Sequence, residues 1–151
     1  MKDTAKCCSV SLFLGRLFIS LIFILAGIGK LLNYDQTAQY MASKGMTMIP
    51  LFLIAAAVIE LLGGLSLLLG FKTRVGATLL LLFLIPVTII FHDFWNLQGA
   101  EQHAMLIEFM KNLAIFGGLF YVLSVGPGRW SLDALCCCSS SCGTDSCGTK
   151  S

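Results

Sequence analysis

The sequence predicts an all-α protein, a four-helix transmembrane bundle with up-down-up-down topology. The chain of 151 residues is 57% hydrophobic and only 12% charged, whereas about 25% of the residues in a soluble domain are charged. Its mean hydropathy of +0.87 points the same way. About 20 apolar residues cross the hydrocarbon core as a helix, and four runs have this length: 10–32, 49–70, 75–94 and 104–125. These runs leave no room for a separate soluble domain.

The first run, 10–32, follows a basic start and superficially looks like a signal peptide. It is too long and no small-residue cleavage site closes it, so we expect a retained helix. Its polar and small residues recur every three or four positions and therefore share one helical face, which we expect to point into the bundle; they are Arg16, Ser20, Phe23, Gly27 and Lys30. The alternative is that the two cations snorkel to opposite membrane interfaces.

The second run, 49–70, has a single charge, Glu60, at its middle. An ionised carboxylate at that depth costs at least about 2.5–3.5 kcal/mol. Glu60 must therefore be paired, protonated or directed at a polar cavity. Gly63, Gly64 and Leu67 lie on the same side, and because glycines let another backbone approach closely, this is predicted to be the packed face.

The remaining segments supply polar residues near the helix ends. The connector 33–48 is predicted to contain a short helical piece. The third helix, 75–94, contains Pro86 as a predicted kink and closes with His92 and Asp93. The fourth helix, 104–125, has three polar residues on one side near its start, which are Glu108, Lys111 and Asn112.

Positive charges between the helices predict the orientation. With the N-terminus inside, the inner segments hold six cations and the outer loops hold one. The inner cations are Lys2, Lys6, Lys72, Arg74, Arg129 and Lys150, and the outer one is Lys44. Because cytoplasmic loops carry the excess of Lys and Arg, both termini are predicted to be cytoplasmic.

This topology predicts an outward-facing polar pocket with Glu60 as its floor and either Lys30 or Lys111 as the counter-ion. The candidate pocket residues are Glu60, Lys30, Lys111, His92, Asp93, Glu108, Asn112 and Arg16. The alternative is a buried ion pair with ordinary interfacial charges and no ligand. The two histidines have no spacing that supports a haem or metal site. No flavin, nucleotide or nucleophile motif appears, and no catalytic residue is identified.

All seven cysteines lie outside the predicted helices, in the N-terminal segment 1–9 and in the tail 129–151. The tail is rich in Ser and Gly and is predicted to be disordered. Three interpretations stay open: a passive tail, a soft-metal tract for Zn(II) or Cu(I), and S-acylation near the membrane. The weak metal candidates are Cys136, Cys137, Cys138, Cys142 and Cys147.

Residues 10–133 resemble the DoxX family of small four-helix membrane proteins. The resemblance rests on Arg16, GIGKLL around Lys30, IELLGGLSLLLGFKTR around Glu60, HDFW at 92–95, FMKNLAIFGGLF around Lys111 and the closing GPGRWSLD. It implies the bacterial inner membrane, and it implies kinship with a small subunit of a thiosulfate:quinone oxidoreductase and with membrane complexes for redox stress. The cysteine-rich tail departs from the family pattern.

Three functions are therefore considered. The first is a non-autonomous membrane subunit of a quinone-linked or thiol-redox oxidoreductase, with a quinone as candidate ligand of the pocket and a carboxylate or imidazole handling protons. The second is a small-molecule carrier or cargo-receptor-like protein, and the third is a non-catalytic scaffold. The expected partners are the lipid bilayer, redox partner proteins and a second copy of the chain, but not nucleic acid.

Overall fold

The computed structural model describes the backbone of residues 2–134 and the side chains of residues 10–134. This part of the chain is all-helical. It contains α1 (Lys2–Leu32), α2 (Tyr34–Ser43), α3 (Ile49–Leu69), α4 (Thr73–Phe91), a short 3₁₀ helix (Phe94–Asn96) and α5 (Gly99–Val125). The helices α1, α3, α4 and α5 are each long and apolar enough to span a membrane. The predicted fold class, an all-α bundle with four membrane-spanning helices, is confirmed.

The helix ends differ from the apolar runs that predicted them. α5 begins at Gly99, five residues before 104, because Glu101 and Gln102 form helices well although they do not extend the apolar run. α4 ends at Phe91, and the three residues Phe94–Asn96 form a separate 3₁₀ turn. The short helix expected within 33–48 is present as α2.

In the bundle, α3 packs against α1 and α4, and α5 packs against α4. The core is a buried cluster of apolar side chains: Phe23, Leu67, Ala77, Leu80, Leu81, Leu84, Leu119 and Val122. Large apolar side chains also cover the outside, for example Phe18 at 62% and Leu25 at 64% exposure. An apolar surface of this extent is expected where lipid is the solvent.

α1 and α3 approach each other closely through small residues. A Cβ atom added to Gly64 of α3 would lie 2.8 Å from Ile24 Cγ1 and 3.2 Å from the backbone oxygen of Ser20 on α1. A Cβ added to Gly27 of α1 would lie 3.2 Å from the backbone oxygen of Ala57. The predicted packed faces of both helices are thus confirmed, and only residues without a side chain permit this separation.

The chain after α5 folds back over one end of the bundle, and we call residues 126–134 the latch. The guanidinium of Arg16 donates one hydrogen bond to the backbone oxygen of Trp130 at 2.7 Å and another to that of Pro127. Asp133 N donates to the backbone oxygen of Gly70 at 2.9 Å. We call the end of the bundle that the latch covers the latch end. The opposite end, where α2 lies, is the pocket end.

Asp133 caps the N-terminus of α4 from a distant part of the chain. Its carboxylate accepts hydrogen bonds from Lys72 N at 2.8 Å, Thr73 N at 3.1 Å and Thr73 Oγ1 at 3.1 Å. The residue that precedes α4, Lys72, has a left-handed φ of 48° and makes no side-chain cap of its own. The carboxylate therefore satisfies first-turn N–H groups that local sequence leaves without a partner.

The latch contains the first residues of the predicted tail, so residues 129–134 pack on the bundle. The rest of that tail, including Cys136, Cys137, Cys138, Cys142 and Cys147, lies outside the described residues. Its disorder and metal binding stay predictions, as does the cytoplasmic location of both termini.

The close α1–α3 approach predicts that Gly64→Ala destabilises the bundle. The backbone oxygen of Ser20 cannot move away without separating the helices, so we expect a loss of about 1–3 kcal/mol in the free energy of unfolding. Reversible denaturation in detergent micelles measures it. Gly117→Ala is the control, because a Cβ there meets no atom of the described residues within 4 Å. Equal losses in the two variants would contradict the packing argument.

The Asp133 cap predicts that the latch detaches in acid. Burial raises the pKa of Asp133, but hydrogen bonds from Thr73 and Lys72 outweigh it and hold the pKa below its ordinary value. The stabilisation is therefore full above about pH 4, the ordinary value, and is lost as the pH falls through the lower folded pKa.

The fluorescence of Trp130, recorded in a Trp95→Phe background, reports this detachment. Asp133→Asn should remove the acid transition, because its amide does not titrate. A transition that persists unchanged in Asp133→Asn would assign it to another group.

Candidate functional site

Glu60 is paired with Lys30 inside the bundle. The Lys30 Nζ donates to both carboxylate oxygens, at 2.8 Å to Oε1 and 2.7 Å to Oε2. The Glu60 side chain is only 6% exposed and that of Lys30 is 27% exposed. Of the two counter-ions considered from the sequence, the structure places Lys30 at the carboxylate.

The directions of helical side chains explain this pairing. Lys30 lies in the last turn of α1, and because a helical side chain leans toward its own N-terminus, it reaches into the membrane. Glu60 on the antiparallel α3 leans toward the pocket end by the same rule. The small residues Gly27 and Ala57 bring the two helices close enough for the charged groups to meet.

A cavity of about 200 Å³ lies at the pocket end, between α1, α2, α3 and α4. Its lining is mostly apolar and aromatic, with Lys30 and His92 among the polar members. The lining residues are Lys30, Thr37, Tyr40, Met41, Leu53, Ala56, Phe83, Val87, Phe91 and His92. An apolar cavity with a few polar groups is the usual form of a small-molecule site.

Helix α2 forms one wall of this cavity. Tyr40 Oη donates to the backbone oxygen of Phe91 at 3.1 Å, and the two rings stack with centroids 5.7 Å apart. Lys44, just after α2, forms an ion pair with Asp93, which lies beyond the end of α4. Both contacts connect α2 to the end of α4. Asp93 therefore holds α2 in place beside the cavity but is not one of the residues that line it.

His92 has polar capacity that the protein itself does not use. Its Nδ1 is buried and has no hydrogen-bond partner among the described residues. A buried polar atom without a partner costs free energy, and a bound ligand or water can remove that cost. His92 also lines the cavity, so the residue with the unsatisfied nitrogen belongs to the candidate ligand site.

Three of the predicted pocket residues belong to the α5 surface instead. Lys111 pairs with Glu108 at 2.6 Å, and their side chains are 57% and 48% exposed. Asn112 Nδ2 donates to Thr88 Oγ1 at 3.1 Å, which links α5 to α4. None of the three lines the cavity, whose lining residues come from α1 to α4 and from His92 at the end of α4.

Arg16 lies at the other end of the molecule. It precedes Lys30 by 14 residues, about 21 Å along the helix, and its guanidinium holds the latch. It is only 2% exposed and so does not snorkel. Its assignment to a pocket around Glu60 is therefore corrected: backbone oxygens accept one hydrogen bond from each terminal nitrogen of this cation, although its Nε has no partner among residues 10–134.

Sequence reasoning missed the part of the site that α2 contributes, namely Thr37, Tyr40 and Met41. The signal was present in the connector 33–48, whose aromatic and apolar residues recur at helical spacing. It also missed Asp133, for which the sequence offers no local cue because its partners lie about 60 residues away.

Two family models match the chain. Residues 11–93 match the DoxX family, and residues 57–136 match the SURF4 family. The first match covers α1 to α4 and therefore all the residues that line the cavity. No solved structure matches the chain.

Several known proteins are similar to the chain. Inner membrane protein YphA of Escherichia coli is 37% identical over 82% of this chain and 89% of its own length. Inner membrane protein YqjF of the same organism is 35% identical over 83% of this chain and 92% of its own. The ER-derived vesicles protein ERV29 of Saccharomyces cerevisiae is 28% identical over 66% of this chain and 34% of its own length.

The buried pair predicts a large cost for removing one partner. Lys30→Met leaves Glu60 buried without a counter-ion, and we expect a loss of about 3–5 kcal/mol in the free energy of unfolding. The double variant Lys30→Met/Glu60→Leu should recover most of it, because apolar residues of similar volume replace such pairs without large cost. Denaturation of all four combinations in detergent gives the coupling.

Lys111→Met is the matched control for this cycle, because it breaks an exposed pair. We expect a change within about 1 kcal/mol. Equal effects of Lys30→Met and Lys111→Met would show that the buried pair carries no special stability.

Proposed function

Since the chain belongs to the DoxX family and is a multi-pass protein of the bacterial inner membrane, we propose that it is the quinone-binding membrane subunit of an oxidoreductase system. The cavity at the pocket end would hold the quinone head group. One observation carries the proposal: two polar groups with unused hydrogen-bonding capacity, Lys30 Nζ and His92 Nδ1, belong to residues lining one apolar cavity.

The hydrogen-bond inventory of Lys30 supports a ligand. An ammonium group has three N–H donors, and two of them go to the oxygens of Glu60. The third donor is available to the cavity that Lys30 lines. A quinone carbonyl oxygen accepts hydrogen bonds and carries no charge. It can therefore accept a bond from this donor without the burial of a second ion.

The walls of the cavity match the rest of a quinone head group. Phe83, Phe91 and Tyr40 supply aromatic surface, and Leu53 and Val87 supply aliphatic surface. A flat conjugated ring packs well against such side chains. The volume of about 200 Å³ is sufficient for a single substituted ring.

Each of these residues has a role in the proposed reduction of the quinone. Reduction of a quinone to a quinol consumes two electrons and two protons. Lys30, backed by Glu60, and His92 would bind the carbonyl oxygens and handle protons there. The electrons would come from a redox partner protein.

A second candidate function is a carrier or a receptor for a small solute or a cargo protein. Two observations favour it: residues 57–136 match the SURF4 family model, and the similar yeast protein is named for ER-derived vesicles. In that function the same cavity would take a different ligand, and quinones would not bind.

The test is the melting temperature of the detergent-purified protein with and without a short-chain quinone. A ligand at 100 times its dissociation constant stabilises the folded state by about 2.7 kcal/mol. Ala56→Leu fills the cavity and should abolish the shift, since Ala56 is part of its lining.

Ala55→Leu is the control, because the neighbouring Ala55 is exposed on the outside of α3. It should keep the shift. His92→Phe should reduce the shift while leaving the apolar walls intact. If the wild-type protein shows no shift, or if Ala55→Leu loses it as fully as Ala56→Leu, the quinone pocket is refuted and the receptor function takes its place.

A further inference from the structure

The latch end of the bundle carries more positive charge than its own carboxylates neutralise. Lys72, Arg74 and Arg129 are all exposed there. Among residues 10–134 the only acidic side chain at this end is Asp133, and it already accepts three hydrogen bonds from Lys72 and Thr73. Within the described part of the chain, no carboxylate forms an ion pair with any of these three cations.

Two apolar grooves flank the first turns of α4 at the same end. One, of about 380 Å³, is lined by Arg74, Val75, Thr78, Leu79 and Leu82. The other, of about 220 Å³, lies between α3 and α4 and includes Lys72, Val75 and Leu79 in its lining. Val75 and Leu79 thus form a ridge between the grooves, and each groove has one cation of its own.

We propose that these two grooves bind one anionic phospholipid, which straddles α4 at the latch end. The phosphate would lie between the side chains of Lys72 and Arg74. The two acyl chains would run along opposite sides of the ridge formed by Val75 and Leu79. This site is separate from the cavity at the pocket end and does not depend on the proposed quinone binding.

The depth of the cations in the membrane supports this occupant. The candidate membrane span begins at Thr73, so we expect Lys72 and Arg74 to lie near the interface, where lipid phosphates are. From Arg74 to Leu82 the first groove follows α4 for eight residues, about 12 Å toward the bilayer centre. A cation at the interface with an apolar channel below it has the polarity of a phospholipid.

The chemistry of the two cations also favours a phosphate. A guanidinium binds phosphate oxygens in a bidentate manner, and an ammonium adds a second positive charge. The Lys72 Nζ lies 5.9 Å from the centre of the Phe71 ring, and Phe71 is itself part of the second groove. The Lys72 charge therefore lies near a side chain that lines the second groove.

The experiment uses the full chain in a nonionic detergent. Native mass spectrometry and melting temperatures are measured with phosphatidylglycerol, with phosphatidylcholine of the same acyl chains, and with glycerol phosphate. We expect phosphatidylglycerol to be retained and to raise the melting temperature more than phosphatidylcholine does. Glycerol phosphate, which lacks acyl chains, should do neither.

Charge variants locate the site. Arg74→Gln and Lys72→Gln should each weaken phosphatidylglycerol binding roughly fivefold, because a cation near an anionic lipid surface contributes about 1 kcal/mol. Arg129→Gln removes the same charge at the same end but outside both grooves, so it should leave the affinity within twofold of wild type.

A variant with a larger side chain tests whether the shape of the grooves, and not only electrostatic attraction, determines which lipid binds. Val75→Trp fills the ridge position and should abolish the preference for phosphatidylglycerol. Val58→Trp, on the exposed outside of α3, should preserve it. Equal retention of the two lipids, equal loss in Arg129→Gln and Arg74→Gln, or equal binding of glycerol phosphate would each overturn the proposal.

Discussion

The ion pair between Lys30 and Glu60 is the interaction on which the pocket end of the bundle depends. It exists only because α1 and α3 cross at the small residues Gly27, Ala57 and Gly64, which keep the helices close. The pair fixes the position of α1 along α3, because any sliding would separate two charges in a medium that solvates neither. Since α2 begins at Tyr34, four residues after Lys30, this register also places α2 over the cavity.

The two ends of the bundle hold different kinds of polar site, and the core between them is apolar. At the pocket end, Lys30 and His92 line a partly open cavity, and His92 Nδ1 has no hydrogen-bond partner among the described residues. At the latch end, the side chains of Arg16 and Asp133 form hydrogen bonds with backbone groups of distant segments of the chain. Lys72, Arg74 and Arg129 are exposed there and form no ion pair with a carboxylate of residues 10–134. The proposed small-molecule site and the proposed lipid site thus lie at opposite ends of the bundle.

The two family matches cover overlapping parts of the structure. The region that matches the DoxX family, residues 11–93, contains the buried pair, α2 and the whole lining of the cavity. The region that matches the SURF4 family, residues 57–136, contains α5 and the latch but not Lys30. The two matches overlap where Glu60 lies, so the intramembrane carboxylate is within both matched regions.

The sequence by itself determined the number and type of the helices and the buried faces of α1 and α3. Length and hydropathy suffice for the spans because a bilayer leaves the backbone no alternative to a helix. Side-chain periodicity suffices for the faces, so Arg16, Glu60 and Lys30 were correctly predicted to point inward. Only the tertiary structure decided the partners of these residues and of Asp133. Glu60 pairs with Lys30 rather than with Lys111, Arg16 binds the latch, and Asp133 binds the N-terminus of α4. Helical periodicity specifies the direction in which a residue points from its own helix, whereas its partner depends on how far one helix slides and how closely it crosses another.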